Sequence, residues 1–183
     1  MNSLFQKFLI FDSTTTERLR LNQKQKTIWF FAAFLAHSGD SWFWLAALGL
    51  VWLLGNKQWH TLSAIFAIGT FFLAIFVLLL KFSIRRKRPE GEWGEIYRNT
   101  DPHSFPSGHA TRAFFLATLA WSIGPVWFAV LLTIWAPLVS VARVVTGVHY
   151  LSDILAGMFI GIIVAGIYLW IIPPMMQMVP FLF

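Results

Sequence analysis

The sequence predicts an all-α fold: a polytopic transmembrane helical bundle of about five spans, preceded by N-terminal interfacial helices. Three observations carry that prediction. Apolar residues make up 57% of the chain and charged residues 12%, against about 45–50% and about 25% in soluble domains. The apolar residues collect in runs long enough to cross a bilayer, and the charges collect between them, mostly toward one side. The 183 residues suit one membrane domain over 1–183, read as an N-terminal segment 1–38, a helical core 39–172 and a short tail 173–183.

A helix needs about 20 apolar residues to cross the hydrocarbon core, with a range of about 17–25. Residues 59–80, 125–142 and 151–172 meet this requirement, and 41–55 and 108–122 are shorter candidates, the last with Arg112 near its start. Trp42, Trp44, Trp59, Trp121 and Trp170 fall near the ends of these runs, where an interfacial aromatic belt would place them; a core position is equally open for some. Upstream, Leu4, Phe5, Phe8 and Leu9 with Lys7 form a short amphipathic pattern. Residues 12–26 are polar and basic, and 28–36 is apolar but too short to span, so both halves read as interfacial. No small-residue cleavage site follows an apolar stretch, which argues against a removable signal peptide. The one long loop is 82–105, rich in acids and glycine.

Composition also excludes chemistries. With no cysteine in the chain, thiol nucleophiles, disulfides, iron–sulfur clusters and Cys-ligated zinc are absent. A net charge of +6 in such an apolar chain serves anionic headgroups or topology, and no nucleic acid partner is expected. The spans place the N-terminus, the 81–107 loop and the 143–149 turn on one side, and residues 56–58, 123–124 and the C-terminus on the other. Of the 14 Lys and Arg residues, only Lys57 then belongs to the second side. Lys81, Arg85, Arg86, Lys87, Arg88, His109, Arg143, His149 and Asp153 converge on the first.

Several cations beside a glycine-containing helix start, as in "PSGH", make an anion site, and a phosphate fits it best. In "RVVTGVHYLSD" His149 and Asp153 stand four positions apart, one turn apart on one face if residues from 149 onward are helical. Asp153 can then hold one ring nitrogen of His149 and leave the other as a lone pair aimed at the anion, which is an oriented nucleophile. His109, at another helix start, can protonate a leaving oxygen, a task suited to an ordinary pKa of about 6.5.

The stretches "KFSIRRKRP" (81–89), "PSGH" (106–109) and "RVVTGVHYLSD" (143–153) resemble the three-part signature of the type 2 phosphatidic acid phosphatase superfamily, K-x6-RP, PSGH and SR-x5-H-x3-D. The spacings match, and the one departure is Ala142 in place of Ser, which touches a secondary hydrogen bond. The chain lacks the first of the six spans typical of the family, and the N-terminal interfacial segments stand in its place. The resemblance implies that His149 attacks phosphorus and becomes a phosphohistidine. It implies that Asp153 orients His149 and that His109 protonates the leaving group and later activates water. Lys81, Arg88, Arg143, Ser107 and the Gly108 amide would hold the phosphoryl oxygens. Neither a cofactor nor a metal is implied, the cations replacing the magnesium used at other phosphoryl-transfer sites.

Other polar residues carry plainer readings. Arg85, Arg86 and Lys87 read as a solvated or headgroup-binding run, and His103 as an exposed loop residue. His37 and His60 read as interface histidines with no partner in reach, and Asp40 as the cap of the 41–55 helix. Arg112 is balanced between partnering the site and snorkelling to the interface.

Two alternatives stand beside a lipid phosphatase: a phosphotransferase with the same intermediate, and a non-catalytic lipid-phosphate binding or transport protein. Small transporters show polar residues near the midplane or paired repeats, whereas these charges gather at one face. The vanadate haloperoxidases of the same superfamily are soluble, and this chain is not. Candidate substrates are undecaprenyl diphosphate, phosphatidylglycerophosphate, phosphatidate and the phosphates of lipid A, with membrane lipids as surroundings. Residues 90–104, with Trp93, Tyr97 and Arg98, read as the selector, and Arg98 or Arg112 would favour a diphosphate. The expected location is a bacterial or archaeal cell (inner) membrane. The positive-inside rule turns the basic face toward the cytoplasm, whereas the family resemblance turns it outward, and the outward placement is the expectation taken.

Overall fold

The structure is a computed structural model that describes residues 3–22, 24–90 and 101–183. Its elements are α1 (Ser3–Leu19), α2 (Lys26–Ser38), α3 (Ser41–Leu54), α4 (Lys57–Ile84), α5 (Gly108–Ile123), α6 (Val126–Val145), α7 (Leu151–Met178) and a closing 3-10 turn, Pro180–Leu182. Among the described residues there is no β-strand, only an isolated bridge between Lys87 and His103.

Helices occupy all five stretches read as spans. By length and composition α4, α6 and α7 suffice to cross a membrane; α3 and α5, with 14 and 16 residues, are shorter than the usual range. Two boundaries differ from expectation. Asn56 caps α4 by accepting the Trp59 amide at 3.1 Å, so that helix starts earlier, and it runs on to Ile84, ending at Arg85 in a left-handed conformation (φ 54°). At the other end of the chain α7 continues through Pro173 and Pro174 to Met178, which shortens the tail read as 173–183.

The core lies around α5, which packs against α4, α6 and α7. Ala113, Phe115, Leu116, Leu119 and Ala120 of α5 are buried against Phe66 and Leu73 of α4, Leu132 and Ala136 of α6, and Ala165 and Tyr168 of α7. Large apolar side chains such as Phe72, Leu79, Ile134, Ile163 and Trp170 point outward instead, as a lipid-facing surface requires. The belt tryptophans divide: Trp42, Trp121 and Trp170 are exposed, while Trp44 and Trp59 pack on the core.

Contact between α5 and α7 depends on Gly157 and Gly161, four residues apart. A Cβ at Gly157 would lie 2.8 Å from the Ser107 carbonyl oxygen, and one at Gly161 would collide with the Thr111 carbonyl. Small residues at this spacing let two membrane helices approach backbone to backbone, which brings the start of α7 against the start of α5.

The two ends of the bundle differ as the charge pattern implied. At one end the Trp52 indole donates to the Leu182 carbonyl at 2.9 Å and Trp59 packs on Trp127. His60 belongs to this end and has a partner after all, since Nδ1 donates to the Trp52 carbonyl at 2.8 Å and the two rings stack. At the other end lie α1, the start of α5, the end of α4 and the turn between α6 and α7. There the Leu21 amide donates to the Val145 carbonyl at 2.9 Å.

Candidate active site

The turn after α6 sets His149 in place. Gly147 adopts φ +75°, a conformation glycine takes without steric cost, and the chain folds back so that the Val148 and His149 amides both donate to the Arg143 carbonyl at 3.3 Å. Helix α7 begins only at Leu151. His149 therefore precedes the helix, and its pairing with Asp153 spans the helix start rather than one helical turn. Nδ1 of His149 is 3.4 Å from Asp153 Oδ2 and has no closer hydrogen-bond partner among the described residues. On the opposite edge Arg88 Nη1 donates toward Nε2 at 3.3 Å and to the Val148 carbonyl at 2.8 Å. The ring thus presents a lone pair on Nε2 to the cations. Burial, and then the charges of Arg88, Arg143, Lys81 and His109, push the His149 imidazole well below its ordinary pKa, so it stays neutral.

The carboxylate of Asp153, fully buried, is held from two more directions. Oδ2 accepts the Tyr150 amide at 2.9 Å and Oδ1 accepts from Arg86 Nη1 at 2.6 Å. Arg86 also donates to Ser152 Oγ and to Asp12 Oδ2, each at 2.6 Å, and lies 4.0 Å over the Tyr150 ring. Its reading as part of a solvated run is corrected here; Arg85 and Lys87 are exposed. Asp12 and Thr16, one turn apart on α1, supply the cap that α7 lacks: Asp12 Oδ1 accepts the Ser152 amide at 3.0 Å and Thr16 Oγ1 the Leu151 amide at 3.1 Å. Asp12→Ala strands a helix amide and one guanidinium N–H, so a lower melting midpoint in detergent is expected, corresponding to about 1–3 kcal/mol. A melting scan checks it, and an unchanged midpoint would show that α1 is not a working part of the fold.

The cations form a cradle in front of His149. Lys81, Arg88 and Arg143 are all buried. Asp101 already sits on two of them: its Oδ2 accepts from Lys81 Nζ and, at 2.7 Å, from Arg88 Nη2, while its carbonyl accepts from Arg88 Nε at 2.7 Å. The cradle thus holds a carboxylate oxygen between two of its cations. Ser107 caps α5, and its amide donates to the Asp153 carbonyl at 3.1 Å, tying the second motif to the third.

His109 extends from the first turn of α5, and its Nε2–H donates to Asp40 Oδ1 at 2.6 Å. The expected capping role of Asp40 is corrected, since it makes no cap bond to α3; its Oδ2 instead accepts from His37 Nδ1 at 3.1 Å. His37, read as partnerless, is therefore partnered. Burial would raise the Asp40 carboxyl, but hydrogen bonds and charge from His109, then from His37, outweigh it and hold it at about 2. Arg112 does not snorkel: it is buried and donates to the Gly39 carbonyl and Ser41 Oγ. His103 packs edge-on against Phe82.

A cleft of about 500 Å³ opens beside Lys81 and His109. Lys81, Asp101, Gly108, His109, Asp40 and Arg112 line it together with Trp42, Phe71, Ile75, Val77 and Leu78. One end is charged and the other is apolar along α4. The proposed selector 90–104 falls largely outside the described residues, as do Trp93, Tyr97 and Arg98 within it.

Comparison with known proteins decides the family. The PAP2 superfamily profile matches residues 60–176, a stretch that includes all three motifs. The chain belongs to the PAP2 superfamily. A lipid A 1-phosphatase of Porphyromonas gingivalis is 31% identical over 119 residues, 63% of this chain and 25% of that protein. A decaprenylphosphoryl-5-phosphoribose phosphatase of Mycobacterium tuberculosis is 31% identical over 138 residues, 73% of this chain and 74% of that one. The chain thus spans a quarter of one relative and about three quarters of the other. The crystal structure of a transmembrane PAP2-type phosphatidylglycerolphosphate phosphatase from Bacillus subtilis superposes with a TM-score of 0.70 at 19% identity, covering 94% of this chain and 88% of that one. The chain therefore has the PAP2 membrane fold, with α1, α2 and α3 ahead of the region the family profile matches.

Proposed function

We propose that the chain is an integral-membrane phosphatase that removes phosphate from a lipid phosphate monoester or diphosphate through a phosphohistidine on His149. The observation that carries this reading is the His149 ring itself. One nitrogen lies next to a buried carboxylate, and the other presents a lone pair to Arg88 in a cradle that holds an anionic oxygen.

In the first half-reaction Nε2 of His149 attacks phosphorus and the P–O bond to the lipid breaks. His109 gives its proton to the departing oxygen. In the second, His109 takes a proton from water as that water attacks phosphorus, the N–P bond breaks, and inorganic phosphate leaves. Lys81, Arg88, Arg143 and the amides at the start of α5 stabilise the phosphoryl oxygens as charge builds, with no metal ion needed to do so. The substrate phosphate displaces the Asp101 carboxylate from Lys81 and Arg88. The lipid chain lies in the apolar half of the cleft, beside Phe71, Ile75 and Leu78.

The test is phosphate release by detergent-purified protein from a panel of lipid monophosphates and diphosphates, with EDTA present. Release that survives chelation is expected; release only with added divalent metal would overturn the metal-free mechanism, and consumption of lipid without free phosphate would make the enzyme a transferase. The site faces the extracytoplasmic side of a bacterial or archaeal cell membrane in this reading, with Lys57 at the opposite end. Because the chain has no cysteine, Lys57→Cys provides a single label site. Modification by an impermeant maleimide from the cytoplasmic side alone is expected, and modification from outside alone would reverse the orientation.

A further inference from the structure

The two-residue turn joining α2 to α3, with the first residue of α3, is attached to α5 at three successive positions. The Gly39 carbonyl and Ser41 Oγ accept from Arg112, and Asp40 Oδ1 accepts from His109 Nε2 at 2.6 Å. A Cβ at Gly39 would lie 2.9 Å from His109 Cδ2, so the turn's backbone presses directly on the imidazole. Asp40 stands where a carboxylate would ordinarily cap its own helix, yet both of its oxygens are committed to imidazoles, His109 and His37. A carboxylate diverted from its local bond to a catalytic-site ring calls for a functional account.

Charge supplies one. His109 is faced by Arg112 on its own helix and by Arg143 from α6. Lys81 of α4 lines the same cleft, where Asp101 is engaged with Lys81 and Arg88. His149, from the turn after α6, also interacts electrostatically with His109. A group that donates a proton in the first half-reaction must hold it beforehand, and burial first, then the charges of Arg143 and Arg112, oppose a protonated imidazole. Asp40 is in direct contact with the ring and carries the compensating charge.

We infer that Asp40 is the positioning residue of the proton donor: it binds the Nε2–H of His109 and keeps a second proton on Nδ1 for the leaving oxygen. His37 anchors the other carboxylate oxygen. Proton balance is closed within the cycle. The Nδ1 proton passes to the lipid oxygen as the P–O bond breaks, and Nδ1 recovers a proton from the attacking water; Asp40 remains ionised throughout. The inference rests on the phosphatase reading above, and it makes His109 one half of a second Asp–His pair, on the leaving-group side.

The test compares two substrates with the same phosphoryl group: a long-chain alkyl monophosphate, whose alkoxide needs a proton to leave, and p-nitrophenyl phosphate, whose phenolate does not. The ratio of their kcat/KM values in one preparation is independent of how much of the protein is folded. In Asp40→Asn the alkyl-to-aryl ratio is expected to fall by about 10²-fold, within the usual range of general acid catalysis. It should recover in part in Asp40→Glu, and the alkaline limb for the alkyl substrate should move to lower pH. A merely structural Asp40 would slow both substrates alike, so an unchanged ratio and an unmoved limb would overturn the inference while leaving the phosphatase intact. Absence of release by the wild-type protein from either substrate would overturn both.

Discussion

His149→Ala is expected to lower phosphate release from every lipid substrate by about 10⁴-fold or more, the scale seen when a nucleophile acting with its base is removed. The fold should persist. The side chain is buried, but its polar contacts go to Arg88, which keeps the Val148 carbonyl and Asp101 as partners, and to Asp153, which keeps Arg86 and the Tyr150 amide, so a melting midpoint close to wild type should accompany the loss. Wild-type pH dependence bears on the same residue. In the proposed mechanism the neutral imidazole is the nucleophile, and burial with four neighbouring positive or ionisable groups depresses its pKa below the usual 6.5. Protonation, and with it loss of the nucleophile, sets in only as pH falls through that lower value. The acid limb of kcat/KM that His149 controls should therefore lie below pH 6.5. Turnover by His149→Ala within tenfold of wild type, on the order of a modest positioning effect, would exclude it as the nucleophile.

Asp153→Asn is expected to cost about 10³–10⁴ in kcat, the magnitude found when an orienting aspartate behind a catalytic histidine becomes an amide. A carboxylate only accepts hydrogen bonds, so it favours the tautomer with the proton on Nδ1 and the lone pair on Nε2. An amide NH₂ can donate to Nδ1 and reverse that assignment, leaving Nε2 protonated where phosphorus must be attacked. The variant should still fold, because Arg86 keeps its ion pair with Asp12 and donates to the new amide oxygen at the Oδ1 position, although the Tyr150 amide loses its acceptor at Oδ2. Steady-state hydrolysis beside a melting curve checks both halves. Activity within threefold of wild type would mean that the tautomer is fixed by Arg88 alone, on the order of less than 1 kcal/mol from Asp153.

The three motif segments were legible because spacing survives any error in helix boundaries. Lys81 to Arg88, the PSGH turn and His149 to Asp153 come together at one end of the bundle although α7 starts two residues after His149. The helical core was legible for the same reason that it is stable in lipid: its runs are apolar all round, and length alone separates them. Asp12, Arg86, Asp40 and Asp101 were not legible. Each acts on a residue far away in the chain, Asp12 on Ser152, Arg86 on Asp153, Asp40 on His109 and Asp101 on Lys81, and nothing local distinguishes such a carboxylate from a cap or a solvated charge. A faint signal exists in hindsight. "HSGDS" at 37–41 is a polar cluster between two apolar runs on the basic face, and Asp12 and Thr16 share one face of α1. Arg86 was hidden by its neighbours, since of the four adjacent cations Arg85–Arg88 the motif marks only Arg88 as turning inward.

The central claim is that phosphate passes through His149. Its most direct test is brief reaction with a radiolabelled lipid phosphate, quenching in alkali, and mapping of the protein-bound label, using His109→Ala to slow hydrolysis of the intermediate. An acid-labile, alkali-stable phosphate on the segment containing His149, absent from His149→Ala, is the expected result. Label on any other residue, or steady release of phosphate by the wild type with no bound label trapped in either protein, would contradict it.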